Sequence, residues 1–465
     1  DYNGPDTLLI DVSDLGNTGT GGALNVSGSV TLNVTAVNDA PVLTVPGGQS
    51  TAEDTALTLG GSVISVSDVD VASSALQVTL SATSGALTLA SGTTGLTFSA
   101  GDGVSDASMV FTGTLTNVNA ALSSVVYMPS AEYLGVDTIS VNATDLGHSG
   151  AGGALQDART IDVSVSAVND APTITAPVSM SGTEDTDLTI TAGNAIGFSD
   201  VDVAGGALQV TLQVTSGVLT LSAGTTGLSF TTGGGVADAS MVFTGTRTNV
   251  NNAVATVVYR GNADYNGADS LSIQVNDQGN TGSGGTLGAS TNVAITLAAV
   301  NDALTITAPA SMSGTEDVDL TFAAGNAISF SDVDVAAGSF QVTLGATRGV
   351  FTLSSGTTGL SFTTGDGVAD ASMVFTGTRT NVNTAIATVV YRGNANYNGA
   401  DSLSIQVDDQ GNTGSGGNQV ASTSVPITLA AVNDAPTVGA PASVSGTEDT
   451  DLTLTGGTAI VFSDV

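Results

Sequence analysis

The stretch Val168-Asn169-Asp170-Ala171-Pro172 recurs as Val37-Asn38-Asp39-Ala40-Pro41 and as Val432-Asn433-Asp434-Ala435-Pro436. A fourth copy, Val300-Asn301-Asp302-Ala303-Leu304, carries Leu where the others carry Pro. From Val37 to Val168, Val300 and Val432 the steps are 131, 132 and 132 residues. So regular a period marks a tandem array, in which each repeat is one structural unit. Taking the Pro position as the start, whole units span 41–171, 172–303 and 304–435. Residues 1–40 match the C-terminal part of a unit and 436–465 the N-terminal part of another. The chain is therefore expected to be a segment of a longer array.

Within residues 172–303, apolar and polar residues alternate in short runs, as half-buried strands require. Leu208, Val210, Leu212 and Val214 interleave with Gln209, Thr211 and Gln213, and Leu271, Ile273 and Val275 with Ser272, Gln274 and Asn276. Val293, Ile295 and Leu297 repeat the pattern near the end. Shorter strands are expected at 188–190, 218–221, 228–230, 241–243 and 257–259, separated by Gly, Asn, Asp and Ser, which accept turn conformations. Such a unit reads as a sandwich of two antiparallel sheets. One segment departs from the alternation. Val250, Ala253 and Val254 have helical spacing, predicting a short helix over 248–254 capped by Thr248 or Asn249, with counterparts at 116–122 and 380–386.

Acidic residues number 42 against 6 basic, a formal net charge of −36, yet 41% of the chain is hydrophobic. That apolar fraction suffices for packed cores, so the charge belongs to folded domains. Its sign repels nucleic acid and anionic lipid and attracts cations. No apolar run reaches the length needed to cross a bilayer, so direct membrane insertion by this segment is not expected. Cysteine is absent, and the basic residues are Arg159, Arg247, Arg260, Arg348, Arg379 and Arg392 without a single Lys. Disulfides, thiolate chemistry, Schiff bases and Lys–Asn crosslinks are thereby excluded. His148 stands in one unit only and reads as an exposed loop residue. The Gly-rich stretch 279–285 lacks a following helix, so it reads as a hairpin loop and not as a phosphate cradle.

The carboxylates that recur in register are the candidate site. One series is Glu53, Glu184 and Glu316, each followed by Asp, with Glu448-Asp449 as a further member. Asp68 and Asp70, Asp200 and Asp202, and Asp332 and Asp334 form Asp-x-Asp pairs, and Asp464 begins another. Asp6, Asp137, Asp269 and Asp401 make a third series, and Asp145, Asp277 and Asp409 a fourth that Asp14 also joins. The linker pairs Asn38-Asp39, Asn169-Asp170, Asn301-Asp302 and Asn433-Asp434 complete the set. Two carboxylates about 4 Å apart repel by roughly 4 kcal/mol at an effective dielectric near 20, so clustering them would call for a cation. Oxygen-only donors suit Ca2+ better than Mg2+ or Zn2+.

This combination resembles the cadherin-like repeats of large bacterial surface proteins and, more distantly, cadherin ectodomains. The matching residues run in the family's order: Asn169-Asp170 near a Pro, Glu184, Asp200-Val201-Asp202 and Asp277-Gln278-Gly279. The resemblance covers the whole chain and implies an all-β tandem array of Greek-key, Ig-like sandwiches with Ca2+ at the junctions. It implies that Glu184 and Asp269 from one unit meet Asp332, Asp334 and Asp409 of the next around Asn301-Asp302. One junction earlier the corresponding set is Glu53, Asp137, Asn169, Asp170, Asp200, Asp202 and Asp277. Asp264 competes with Asp269 for its role. The linker departs from the cadherin pattern in having Ala167 or Ala299 where an Asp is usual and in lacking an Asn between Asp and Ala. That departure predicts about one or two ions per junction, with affinities of roughly 0.1–1 mM.

The expected function is structural: a calcium-stiffened, extracellular stalk or fibre segment of a bacterial surface adhesin or filament, with neighbouring repeats, and packing between copies, as its partners. With each sandwich roughly 40 Å long, the segment would reach on the order of 140 Å. The alternative is a carbohydrate- or cell-binding module, against which stands the absence of Trp. An enzyme is not expected, because every carboxylate pair that could do acid chemistry is copied from unit to unit.

Overall fold

A computed structural model describes residues 2–59, 64–71, 73–148, 150–203, 205–279, 282–334, 338–411 and 413–464. One sheet pattern occurs three times along it, in Val42–Ser166, Thr173–Ala298 and Thr305–Ala430. In the second copy the strands are β1 (Thr173–Thr175), β2 (Ser179–Thr183), β3 (Leu188–Ile190), β4 (Gly197–Ser199), β5 (Ala207–Gln213), β6 (Gly217–Leu221), β7 (Ser229–Thr232), β8 (Ser240–Thr246), β9 (Val257–Gly261), β10 (Gly267–Asn276) and β11 (Gly288–Ala298). A six-stranded sheet in the order β2-β11-β10-β5-β8-β7 faces a three-stranded sheet in the order β3-β9-β6, and β1 pairs with β4 at one end. All pairings are antiparallel except β2 with β11, where Ser179 to Thr183 run beside Ala294 to Ala298. Each copy is an all-β, two-sheet sandwich.

Alternation decides which side chains enter the core. Leu208, Val210 and Leu212 of β5 and Leu271, Ile273 and Val275 of β10 are buried, as are Val293, Ile295 and Leu297 of β11. They pack with Met241, Phe243 and Tyr259, and Phe230 tilts against Phe243 at 5.4 Å between ring centroids. Each aliphatic side chain so buried contributes about 1.5–3 kcal/mol. The expected strands at 188–190, 218–221, 228–230, 241–243 and 257–259 fall within or across β3, β6, β7, β8 and β9. Strands β1 and β4 are too short to show an alternation, and β2, Ser-Met-Ser-Gly-Thr, carries too few apolar residues to do so.

The helix, α1, spans Arg247–Val254 and leads from β8 in one sheet to β9 in the other, with Val250, Ala253 and Val254 buried. Its cap is Thr246 and neither Thr248 nor Asn249: the Thr246 hydroxyl accepts from the Asn249 N–H at 3.3 Å. The α-helices Leu115–Leu122 and Arg379–Ile386 are capped in the same way by Thr114 and Thr378. The expected boundary fell late because the polar Arg247 follows a strand without an intervening turn. Asn251 ties the helix to β4, receiving the Phe198 N–H and donating to the Phe198 carbonyl at 2.8 and 2.9 Å. Replacing the cap, Thr246→Ala, should cost about 1 kcal/mol in equilibrium denaturation. A loss below about 0.3 kcal/mol would show that tertiary packing alone sets the helix start.

The residues from 279 to 285 lie in the connection between β10 and β11, as expected of a hairpin loop; Asn280 and Thr281 lie outside the described residues. His148 is exposed. Before the first sandwich, Gly4–Ser13 and Asn25–Val34 form an antiparallel hairpin, and after the last, Thr437–Gly439 pairs with Val461–Ser463. Among the described residues no helix is long and apolar enough to cross a membrane.

Candidate metal centre

The β1–β4 pairing sets Thr173 opposite Ser199. Asp200 and Asp202, which follow β4, are thereby carried to the linker that precedes β1. The Asp170 N–H donates to Asp202 Oδ2 at 2.5 Å, and Asp39 does the same to Asp70 at 2.6 Å. Asp302 donates likewise to Asp334. The linker Asn is held by the same sandwich: the Asn169 side chain donates to Asp277 and to the Gly285 carbonyl, as Asn38 does to Asp145 and Gly153 and Asn301 to Asp409 and Gly417. The sandwich before the linker holds it from the other side. Glu53, Glu184 and Glu316 each accept a hydrogen bond at 2.7 Å from the N–H of the linker Val, at 168, 300 and 432 respectively. The linkers at Asn169-Asp170 and Asn301-Asp302 are thus gripped by carboxylates from two consecutive sandwiches.

Among the described residues, three groups of carboxylates have oxygens within 4.8 Å of one another: Asp54, Glu132 and Asp170; Glu184, Asp302 and Asp334; and Asp185, Asp264 and Asp302. Asp302 belongs to two of them. Asp54, Glu132, Asp185 and Asp264 all have positive φ, between 55° and 57°. Held in this conformation, which costs a non-Gly residue energy, they turn back toward the linker.

Electrostatics agrees with the geometry. Burial raises the Asp302 carboxyl above its ordinary value, and Asp334, Asp185, Asp264 and Glu184 push it further in the same direction. Burial likewise raises Asp200, helped by the charges of Asp202 and Asp277 against the opposing backbone hydrogen bonds. Glu132 is raised by burial and then by Asp170, Asp54, Glu53 and Asp202. Asp200 is only 3% exposed, and its Oδ2, like that of Asp68, Asp170 and Asp302, is buried without a hydrogen-bond partner. A buried carboxylate oxygen normally finds a donor. An oxygen-rich pocket of net negative charge with such orphaned acceptors fits a hard divalent cation of Ca2+ type.

Asp137, Asp269 and Asp401 lie apart from these groups. They point inward from their strands, and burial that would raise their carboxyls is outweighed by hydrogen bonds that hold them below the ordinary value. Asp269 accepts from the Thr215 hydroxyl, the N–H groups of Thr215, Ser216 and Ser270, and the Tyr259 hydroxyl. Tyr259 belongs to the opposite sheet, so this network joins the two layers. Burial and the Asp269 partner both raise the Tyr259 hydroxyl. A methyl group at Gly217 would stand 2.6 Å from the Tyr259 ring and 2.5 Å from the Arg260 carbonyl, so glycine makes room for the ring there.

Asp6 is exposed and accepts from the Thr7 N–H at 2.7 Å. Asn433 and Asp464 are exposed, Asp434 is half-buried, and none of them joins the three groups. Sequence reasoning missed the place of Asp54 and Asp185 in the groups, and it missed the tyrosine network. The latter had a signal: Tyr127, Tyr259 and Tyr391 each precede the inward Asp by ten residues.

No protein-family model matches the chain, and no curated protein does so. Among solved structures it is similar to protocadherin gammaB7 repeats EC3-6, with 17% identity and a TM-score of 0.34 over 92% of this chain and 85% of that one. It is similar also to mouse cadherin-23 EC22-24, with 13% identity and a TM-score of 0.33 over 85% of this chain and 100% of that one. Tandem Ig domains from a Dpr2 and DIP-Theta complex match with 9% identity and a TM-score of 0.23 over 84% and 99%. With its six- and three-stranded sheets, parallel β2–β11 pairing and helix between the layers, the chain is a tandem array of two-sheet β-sandwich repeats.

Proposed function

We propose that this chain is a calcium-stiffened, extracellular structural array with repeats at 41–171, 172–303 and 304–435, serving as the stalk or fibre of a bacterial adhesin or surface filament. The observation that carries this reading is the Asp302 junction. There Glu184, Asp185 and Asp264 of one sandwich and Asp334 of the next converge on a linker Asp whose Oδ2 is buried without a partner. A cation shared by both sandwiches and the linker offsets the repulsion and removes the freedom of the joint. Calcium acts here as a strut, and no residue is assigned a catalytic role. Neighbouring repeats are the primary partners. Packing between copies would build fibres from the same unit.

Small-angle scattering on the whole chain tests the reading. Saturating Ca2+ should give a maximum dimension on the order of 140 Å with a narrow distribution of shapes. Excess chelator should broaden the distribution and shorten the mean as the joints bend. Identical profiles in the two conditions would remove the mechanism.

A further inference from the structure

We infer that the outer face of each six-stranded sheet is a packing surface for a second copy of this chain, so that two arrays meet face to face. This inference rests on the fibre part of the reading above and names its surface; it does not depend on calcium. Across β8, β5, β10 and β11 the strand register aligns Val242, Thr211, Gln274 and Ser290 in one outward row. The other two sandwiches repeat the row as Val110, Thr79, Asn142 and Ala158 and as Val374, Thr343, Gln406 and Ser422. Ser, Thr, Ala and Gln fill most of the remaining outward positions of these strands, and the charged residues there are Asp162 and Asp408 alone. A solvated surface normally has about a quarter or more of its residues charged. A chain with 42 acidic residues thus keeps them off three equivalent faces, and depletion of charge is the compositional mark of an interface centre. One row also holds an acceptor that lacks a donor. Asn142 donates to Gln156 Oε1 at 3.3 Å, while its own Oδ1 is buried without a partner. A Thr hydroxyl from an opposing row can supply that donor. The occupant is a second copy because two chains of charge −36 repel wherever their carboxylates meet, which leaves the uncharged faces as the approach open to both. Area supports the same occupant. Four strands about 4.8 Å apart and about 28 Å long give each repeat a face on the order of 500 Å², so two repeats exceed the roughly 800 Å² per partner of a stable interface. Packing one such face on its own copy is isologous, which sets each amide against the hydroxyl-bearing part of the partner row.

Sedimentation equilibrium of the full chain, over a range of protein and NaCl concentrations, tests the inference. The average mass should rise from the 45.2 kDa of one chain toward twice that, and salt should strengthen association by screening the carboxylates outside the face. Asn142→Asp, Gln274→Glu and Gln406→Glu together put one charge in each row without changing its bulk, and should raise the dissociation constant by about tenfold or more. Thr58→Glu, Thr189→Glu and Thr321→Glu put the same charge on exposed positions of the three-stranded sheets, and should shift it less than about twofold. Mixing the acidic row variant with a chain carrying Asn142→Lys, Gln274→Lys and Gln406→Lys should restore association, because opposite charges then face each other; a misfolded variant could not be rescued in this way. A chain that stays monomeric under all conditions, equal weakening by the two acidic variants, or no rescue on mixing would overturn the packing face. Calcium stiffening, which scattering reads separately, would stand in each case. A monomeric chain that binds neutral glycans on an array, and loses them with the acidic row variant, would assign the face to a glycan and overturn self-packing.

Discussion

Asp269→Ala should lower the unfolding free energy of its repeat by about 3–5 kcal/mol, a large part of the roughly 5–15 kcal/mol that a domain of this size possesses. The carboxylate accepts from three backbone N–H groups and two hydroxyls, one of them from the facing sheet. Alanine leaves the buried Tyr259 hydroxyl and the part-buried Thr215, Ser216 and Ser270 donors without this acceptor, and each such group kept from water costs about 1–3 kcal/mol. Asp269→Asn keeps one acceptor oxygen and should lose about half as much. The network also fixes the acid limit of the fold. Because the folded-state value of Asp269, like those of Asp137 and Asp401, lies below the ordinary Asp value of 3.8, its stabilisation is complete above that value. It is lost as pH falls below 3.8 through the lowered value. Urea denaturation followed by circular dichroism at neutral pH and near pH 3 measures both effects. A variant within about 0.5 kcal/mol of the parent would show that the network is not what joins the sheets.

Asp302→Asn should have opposite effects in the presence and absence of calcium. Asp302 is the residue shared by two carboxylate groups, so the calcium affinity of its junction should fall by on the order of 10–100-fold, or about 1.4–2.8 kcal/mol. In chelator the same substitution should stabilise the protein by about 0.5–1 kcal/mol. The sign follows from linkage. A carboxyl whose folded value is raised favours folding below its unfolded value and loses that advantage as pH rises through the raised value. At neutral pH the charged form therefore opposes folding, and asparagine removes that penalty. Calcium titration calorimetry and thermal melts in chelator read the two arms separately. A variant destabilised in chelator as well as weakened for calcium would mean that Asp302 acts through hydrogen bonding and not through its charge.

Asp264 and Asp269 show how far the site is legible before folding. Both are acidic and near the end of the repeat, and the order of motifs alone leaves either able to serve the junction. Parity separates them: Asp269 shares its strand face with Leu271, Ile273 and Val275, all buried, so its carboxylate must look inward. Asp264 stands in the turn before that strand, outside any alternation, and nothing local says where a turn side chain is aimed. Its positive φ and its contact with Asp185, 79 residues earlier, exist only once the three-stranded sheet has formed. The helix start has the same character. Its buried face of Val250, Ala253 and Val254 is periodic and hence readable, but capping by Thr246 depends on where strand β8 ends.

The sequence by itself determined the period, the sandwich, the short helix and the acidic positions that keep register. Those features arise from local alternation, turn chemistry and repetition, each carried by neighbouring residues. The convergence of Glu184, Asp185, Asp264 and Asp334 on Asp302, the orphaned oxygens beside it and the tyrosine–aspartate bond between the layers were decided only by the tertiary structure. Each joins residues that are distant along the chain, and burial then assigns their charges opposite consequences. A carboxylate surrounded by donors stabilises the fold, whereas one surrounded by other carboxylates calls for a cation.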